Sequence, residues 1–178
     1  MNRSASNIVL IGMPGSGKST IGVILAKRLA RGFVDTDLLI QTAQGRSLQR
    51  IVDTDGYLAL REIEARILTG LECSNQVIAT GGSAAYSCPA MNHLKQNGIV
   101  VFLHADLETL NRRVHDFSER GLAKSPDQTL DDLYRERLSL YSHYADITVD
   151  SCRLTHEEVC ACIIEQIGCA MATKRNCL

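Results

Sequence analysis

The chain has 178 residues, of which 45% are hydrophobic and 22% are charged, and its formal net charge is -1. This composition is typical of one globular domain with a single core, and the charge gives no global reason to expect nucleic-acid binding. No apolar run approaches the roughly 20 residues of a membrane helix. The first residues, MNRSASN, lack the apolar core of a signal peptide. We therefore expect a single domain over residues 1–178 in a cytoplasmic protein that binds no membrane and no nucleic acid. We also expect a monomer, although the composition does not decide the oligomeric state.

Short apolar runs alternate with helical patterns along the chain. The runs that predict strands are Ile8–Ile11, Phe33–Asp35, Gln76–Thr80, Ile99–His104 and Ile147–Asp150. Apolar residues at helical spacing predict helices over Ser16–Ala30, Tyr57–Leu71, Leu107–His115, Leu130–Tyr144 and His156–Ile167. A capping-box pattern, Thr155 followed by Glu158, precedes the last helix. The alternation predicts a three-layer α/β/α domain with a central parallel five-stranded sheet.

Parallel sheets of this kind bind ligands beyond the carboxyl ends of their strands. The segments that follow the first four strands should therefore face one crevice. They are GMPGSGKST (Gly12–Thr20), DTD (Asp35–Asp37), TGGS (Thr80–Ser83) and HAD (His104–Asp106). Residues 117–129, FSERGLAKSPDQT, have little apolar periodicity, and we expect them to form a lid loop over that crevice.

The segment GMPGSGKST matches the phosphate-binding loop and lies between a predicted strand and a predicted helix, as that motif requires. Backbone N–H groups in such a loop point inward, and the following helix presents its positive end to the phosphates. Lys18 would reach the β and γ phosphates of ATP, and the Ser19 hydroxyl would help to hold Mg²⁺. The predicted ATP-binding residues of the loop are Gly12, Gly15, Ser16, Gly17, Lys18, Ser19 and Thr20.

The phosphate loop alone does not separate kinases from GTPases and motor proteins. The chain has no NKxD guanine signature and is short for a motor, which favours a small-molecule kinase. Asp35 and Asp37 end the second predicted strand with side chains on the same side. One carboxylate could lie near the metal, and the other could orient or deprotonate an acceptor hydroxyl. The spacing fits a surface turn equally well.

Three arginines are further candidates for the crevice. Arg61 lies one helical turn from Glu64 and could pair with it, Arg137 lies on a charged helix, and Arg120 lies in the predicted lid loop. A solvated surface is the plainer interpretation of each of them. The five histidines and seven cysteines show no spacing typical of a metal site, and we expect idle thiols.

The order of these motifs resembles that of the shikimate kinase family, which has the nucleoside monophosphate kinase-like fold. The resemblance extends from about Ile8 to about Ile167. The segments that carry it are GMPGSGKST, DTD, Gly45-Arg46-Ser47, DGYLALREIE, TGGS, VVFLHADLETLNRR, an arginine-led lid and RERLSLYSHYAD. The resemblance implies that the protein uses ATP and Mg²⁺ to phosphorylate a hydroxyl of shikimate, a step of aromatic amino acid biosynthesis.

The resemblance also assigns roles to individual residues. It implies that Ser19 and Asp35 lie near the metal, and that Asp37 binds the acceptor hydroxyls and is the catalytic base. The residues implied for substrate binding are Asp37, Arg61, Gly81, Gly82 and Arg137, with the two arginines on the carboxylate. Arg113 matches an arginine that packs over the adenine. The residues implied for catalysis are Lys18, Asp37 and the lid arginine Arg120.

Three departures from the family pattern leave two alternatives open. Ser83 stands where the family usually has a third glycine, and Tyr57 stands where it usually has glutamate. Gly121 replaces the proline after the lid arginine, which should loosen the lid. Ser83 and Tyr57 motivate a kinase that acts on a different small hydroxy acid. The altered lid motivates a nucleotide-binding regulatory module without phosphotransfer.

Overall fold

The computed structural model describes residues 6–114 and 121–176. Its central sheet has five parallel strands in the order β2-β3-β1-β4-β5. The strands are β1 (Asn7–Ile11), β2 (Gly32–Asp35), β3 (Gln76–Ala79), β4 (Gly98–His104) and β5 (Ile147–Asp150). The predicted α/β class is confirmed, and each predicted strand is present to within one residue at either end.

Helices cover both faces of this sheet. Those in the described residues are α1 (Lys18–Leu29), α2 (Thr36–Gln44), α3 (Leu48–Asp55), α4 (Tyr57–Thr69), α5 (Cys88–Gln96), α6 (Leu107–Arg113), α7 (Leu130–Tyr144) and α8 (His156–Asn176). The helices predicted at α1, α4, α6, α7 and α8 are confirmed, although α8 continues past its predicted end at Ile167. The predicted end of α6 at His115 lies outside the described residues. The predicted capping box before α8 forms between Thr155 and Glu158.

The sequence interpretation missed α2, α3 and α5. In each of them the N-cap side chain accepts a hydrogen bond from a backbone N–H of the first turn. The Asp35 carboxylate accepts the backbone N–H groups of Asp37 and Leu38, at 3.0 and 3.4 Å. Ser47 and Ser87 cap α3 and α5 in the same way. The prediction that Asp37 ends the second strand is therefore wrong, because the strand stops at Asp35 and Asp37 lies in the first turn of α2.

The two faces of β1 show how the layers pack. Ile8 and Leu10 pack into a cluster that includes residues of α1 and α8. Val9 and Ile11 point to the other face, into a cluster with residues of α4, α5 and α7. A smaller cluster joins α2, α3 and α4 beside the carboxyl edge of the sheet. Within the described part of the chain, no helix is long and apolar enough to cross a bilayer.

Candidate active site

A cleft of about 770 Å³ opens at the carboxyl ends of the strands. Segments that are far apart in sequence line it: the phosphate loop, the start of α2, the TGGS segment after β3, and residues 121–123. Lining side chains include Lys18, Asp37, Glu64, Ser83, Arg113 and Arg137. The sequence had predicted that four segments face this crevice. Residues of the first three line it, whereas none of His104–Asp106 is among the lining residues.

The phosphate loop adopts a conformation that depends on glycine. Gly12 has a φ of 144°, and a Cβ there would lie 2.7 Å from the Leu103 carbonyl oxygen. Lys18 begins α1 and curls back over the loop, where its Nζ donates to the carbonyl oxygens of Gly12 and Met13 at 2.8 and 2.9 Å. Burial lowers the pKa of Lys18 to about 8, against the opposing effect of Asp37. The loop therefore presents a largely desolvated cation beside the N-terminus of α1.

Oxygen atoms suited to a hard divalent cation lie beside this loop. The Ser19 hydroxyl donates to Asp35 Oδ2 at 2.6 Å, while Asp35 Oδ1 caps α2. The cap fixes the carboxylate against the first turn of α1. Hydroxyl and carboxylate oxygens are ligands that Mg²⁺ prefers, so the donor set fits that ion.

Two carboxylates lie close to the position that a side chain at Gly81 would occupy. A Cβ on this glycine would lie 2.4 Å from Glu64 Oε1 and 2.6 Å from Asp37 Oδ1. The Gly81 N–H donates to the Thr36 hydroxyl at 3.1 Å, which holds the backbone next to the two acids. Burial raises the pKa of Asp37, although Lys18 opposes the rise. Any larger residue at position 81 would displace one of the carboxylates.

Glu64 is the most constrained acid of the cleft. Glu64 is only 3% exposed. Its Oε2 accepts a hydrogen bond from the Ser83 hydroxyl, and its Oε1 is buried without a hydrogen-bond partner among the described residues. Burial raises the pKa of Glu64 to about 7, against the Ser83 hydrogen bond, which favours the charged form. The sequence had indicated Glu64 only as a possible partner of Arg61. The hydroxyl of Ser83, one of the departures from the family pattern, thus contacts Glu64.

Arg61 and Arg137 converge on a single oxygen atom. The Ala123 carbonyl accepts from Arg61 Nη2 at 2.9 Å and Nε at 3.2 Å, and from Arg137 Nη2 at 3.0 Å. The Arg61 guanidinium also stacks 3.6 Å from the centre of the Tyr86 ring. Arg137 is 1% exposed, so the interpretation of this residue as part of a solvated face is wrong. The Ala123 oxygen marks a position where a negatively charged oxygen would be held by two guanidinium groups.

The backbone of Gly82 is packed tightly between three side chains. A Cβ there would lie 2.7 Å from Arg137 Nη1 and 2.8 Å from the Pro14 ring. The Tyr141 hydroxyl donates a hydrogen bond to the Gly82 carbonyl at 2.5 Å. The glycine therefore lets the phosphate loop and the buried arginine approach each other.

Arg113 extends from the end of α6 to the loop after β5. Its guanidinium donates to the Ser151 carbonyl at 2.5 Å and to the Ser151 hydroxyl at 3.3 Å. These bonds hold the Arg113 side chain, which lines the cleft, against the segment that follows β5. Arg120 lies outside the described residues.

Gly121 is anchored where the sequence had predicted a looser lid. Its φ is +59°, and a Cβ would lie 2.6 Å from the backbone of Leu48. Its N–H donates to the Gln49 side chain at 2.7 Å. Proline has no N–H and cannot adopt this φ, so the glycine fits a close contact that proline would break. The described end of the lid segment is held by this contact and by the arginines on Ala123.

The parallel sheet ends in a phosphate loop. The same cleft contains buried acids, and two guanidinium groups converge on one oxygen atom that lines it. These features define a P-loop kinase of small molecules. The family model for shikimate kinase matches residues 14–168. The chain belongs to the shikimate kinase family.

Individual relatives cover nearly the whole chain. Shikimate kinase of Rippkaea orientalis is 38% identical over 172 residues, which are 94% of this chain and 91% of the relative. The structure of shikimate kinase from Acinetobacter baumannii in complex with shikimate has a TM-score of 0.83 at 32% identity, and covers 93% of this chain and 94% of that one. A gluconokinase from Sinorhizobium meliloti, with a TM-score of 0.53 at 18% identity over 98% of each chain, shares the fold.

Proposed function

We propose that this chain transfers the γ-phosphoryl group of ATP to a hydroxyl of shikimate, forming shikimate 3-phosphate. The observation that carries the proposal is the convergence of Arg61 and Arg137 on one oxygen position, in the cleft that also contains Lys18 and Asp37. A hydroxy acid bound with its carboxylate on the guanidinium pair can present its ring hydroxyls to the acids beside Gly81. Family membership supports the same substrate.

The nucleotide half of the reaction depends on the phosphate loop. Backbone N–H groups from Gly12 to Thr20 would bind the phosphates, and Lys18 would leave its two carbonyl partners to contact the β and γ oxygens. Ser19 and Asp35 would hold Mg²⁺, which neutralises phosphate charge when it is bound. Arg113 would pack against the adenine.

The acceptor half depends on the buried acids. Asp37 would accept the proton of the attacking hydroxyl, and burial supports this role because it raises the pKa of Asp37 toward that of a working base. Gly81 and Gly82 allow the two acids, the phosphate loop and Arg137 to approach the backbone closely, which would bring these groups around the bound acceptor. We propose that Arg120 of the lid segment, about 117–129, stabilises the transferring group. Most of the rate would come from positioning and electrostatics.

The carboxylate site has a consequence for the lid segment. The Ala123 carbonyl already satisfies donors of both arginines, so a substrate carboxylate must share or displace it. Its charge makes a carboxylate the stronger acceptor. We propose that substrate binding moves residues 121–123.

We also propose that the domain acts as a cytoplasmic monomer with no membrane or nucleic-acid partner.

The experiment that tests this function is ADP release from Mg-ATP by the purified chain, with and without shikimate. We expect release to depend on shikimate and to exceed that with other hydroxy acids. Preference for another acid would favour the first alternative from the sequence. ATP binding without acceptor-dependent release would favour the regulatory module.

A variant on α4 separates the two halves of the site. Arg61→Ala should lower kcat/KM for shikimate by about 100-fold, because it removes a charge-assisted contact, while the KM for ATP stays within a few-fold. Arg66→Ala, on the exposed face of the same helix, is the matched control and should behave as wild type. Equal loss of ATP and shikimate use in Arg61→Ala would show that this arginine is structural.

A further inference from the structure

We infer that His104, Asp150 and Cys152 form a binding site for a borderline-soft divalent cation such as Zn²⁺, separate from the Mg²⁺ position at Ser19 and Asp35. One nitrogen, one oxygen and one sulfur atom of these residues lie within 4.8 Å of one another, the only such group of ligand atoms in the described part of the chain. Imidazole and thiolate ligands select this class of cation over Mg²⁺.

The scaffold that holds these ligands is rigid. His104 ends β4 and Asp150 ends β5, and the two residues are register partners in the parallel pair. Ser151 connects Asp150 to Cys152, and both its N–H and its hydroxyl donate to the His104 carbonyl at 2.9 Å. The three ligands therefore come from adjacent strand ends that are already joined by hydrogen bonds.

The spacing of the nitrogen and oxygen atoms fits a shared cation better than a direct bond. His104 Nδ1 and Asp150 Oδ1 are 3.7 Å apart, too far for a hydrogen bond. Two such ligands on one tetrahedral Zn²⁺ ion would be separated by about 3.4 Å, from the usual Zn–N and Zn–O lengths. The Cys152 sulfur lies within 4.8 Å of both atoms, so its side chain would rotate toward them when the cation binds.

Each ligand is also held from behind, as ligands of metal sites usually are. His104 Nε2 lies 3.3 Å from the Tyr134 hydroxyl, which leaves Nδ1 to face the cluster. The Asp106 N–H donates to Cys152 Sγ at 3.3 Å, and the Cys152 N–H donates to Asp150 Oδ1 at 2.9 Å. Sequence spacing gave no sign of the site, because its ligands come from two strands separated by more than 40 residues.

Binding of the cation would replace the Cys152 thiol proton, which passes to the buffer, and would form the sulfur–metal bond. Solvent would supply the remaining ligand of a tetrahedral ion. Cobalt(II) is a suitable probe, since a thiolate ligand gives it a charge-transfer absorption in the near-ultraviolet. We propose titrating the reduced full chain with Co²⁺, in the presence of excess Mg²⁺, and then displacing it with Zn²⁺.

We expect one equivalent of Co²⁺ to produce the thiolate band, and Zn²⁺ to abolish it. Cys152→Ser should remove the band, and His104→Gln and Asp150→Asn should each weaken Co²⁺ binding at least tenfold. Tyr134→Phe should weaken it by about tenfold through the histidine. The matched controls are Cys88→Ser, an exposed thiol elsewhere, and His143→Gln, an exposed histidine on α7.

Two kinds of result would overturn the inference. One is a wild-type protein that shows no band, or loses it to Mg²⁺. The other is a band that persists in Cys152→Ser, or that is unaffected by both His104→Gln and Asp150→Asn. Circular dichroism spectra of each variant establish that it is folded, and the two ligand variants keep the test decisive if Cys152→Ser fails to fold.

Discussion

Replacing Glu64 with glutamine should make the fold less sensitive to rising pH. Burial raises the pKa of this carboxyl from 4.5 to about 7. Between those values the folded protein keeps a proton that the unfolded chain has released, so the free energy of unfolding falls as pH rises. The loss is absent below about pH 4.5 and complete above about pH 7. It amounts to about 3 kcal/mol in total, and to between about 2 and 3 kcal/mol from pH 5 to pH 8.

Glutamine keeps the shape of the side chain and can accept the Ser83 hydroxyl, but it cannot ionise. We therefore expect the Tm of wild type to drop by about 5–10 °C more than that of Glu64→Gln between pH 5 and pH 8. The chain has no tryptophan, so thermal unfolding is best followed by far-ultraviolet circular dichroism. Glu62→Gln, on the exposed side of the same helix, should follow wild type.

The comparison between wild type and the variant cancels the other titrating groups of the protein to first order. Parallel Tm curves for wild type and Glu64→Gln from pH 5 to pH 8 would refute the reasoning. They would mean that Glu64 is solvated in solution, or that it keeps its charge through a partner outside the described residues. A larger pH sensitivity in Glu64→Gln than in wild type would reverse the sign of the argument.

Three further predictions concern the walls of the cleft. The alanine methyl group in Gly82→Ala would displace Arg137. We therefore expect kcat/KM to fall at least tenfold and the free energy of unfolding to fall by about 1–3 kcal/mol. Kinetics equal to those of wild type would contradict the contact. Tyr141→Phe removes the hydroxyl that donates to the Gly82 carbonyl. The free energy of unfolding, measured in urea, should fall by about 1–3 kcal/mol. A urea midpoint equal to that of wild type would contradict this prediction. Lys18 has a pKa of about 8, so it loses its positive charge between pH 7 and pH 9. The Kd of the free enzyme for ATP should therefore rise by up to about tenfold over that range. A Kd that calorimetry finds constant from pH 7 to pH 9 would show that the charge of Lys18 does not contribute to ATP binding.

The sheet was readable from the sequence because buried parallel strands are continuous apolar runs, such as the run that contains Ile99–Leu103. The longer helices showed a clear periodicity of apolar residues, because each of them buries one face in the core. The helices α2, α3 and α5 have eight or nine residues each and bury three or fewer of them, so their apolar pattern is weak. Short length alone does not explain the failure, because α6 has seven residues, buries two and was predicted. The cap residues of α2, α3 and α5 were visible, but Asp and Ser are as common in turns as at N-caps, so tertiary packing decides between the two structures.

The phosphate loop could be predicted from its own residues, because glycine spacing and the following lysine are set by local geometry. The contacts of Arg61 and Glu64 could not be predicted in this way. Arg61 contacts a carbonyl 62 positions away in sequence, and Glu64 contacts a hydroxyl 19 positions away, so no local pattern reports either contact. The resemblance to a family implied a role for Arg61. It gave none for Glu64, whose interest comes from burial and from an unpartnered oxygen.

Ser83 illustrates how a departure from a family pattern is best interpreted through its contacts. At the sequence level, an added hydroxyl near the substrate suggested a different acceptor. In the structure, Ser83 is 6% exposed and its hydroxyl donates to Glu64, which lowers the pKa of a carboxyl that burial has raised. The arginines that would select a carboxylate, and Asp37 beside Gly81, are unaffected by this contact. The serine therefore favours the charged form of Glu64 near neutral pH. The residues that favour a hydroxy acid such as shikimate, namely Asp37, Arg61 and Arg137, are all retained in this chain.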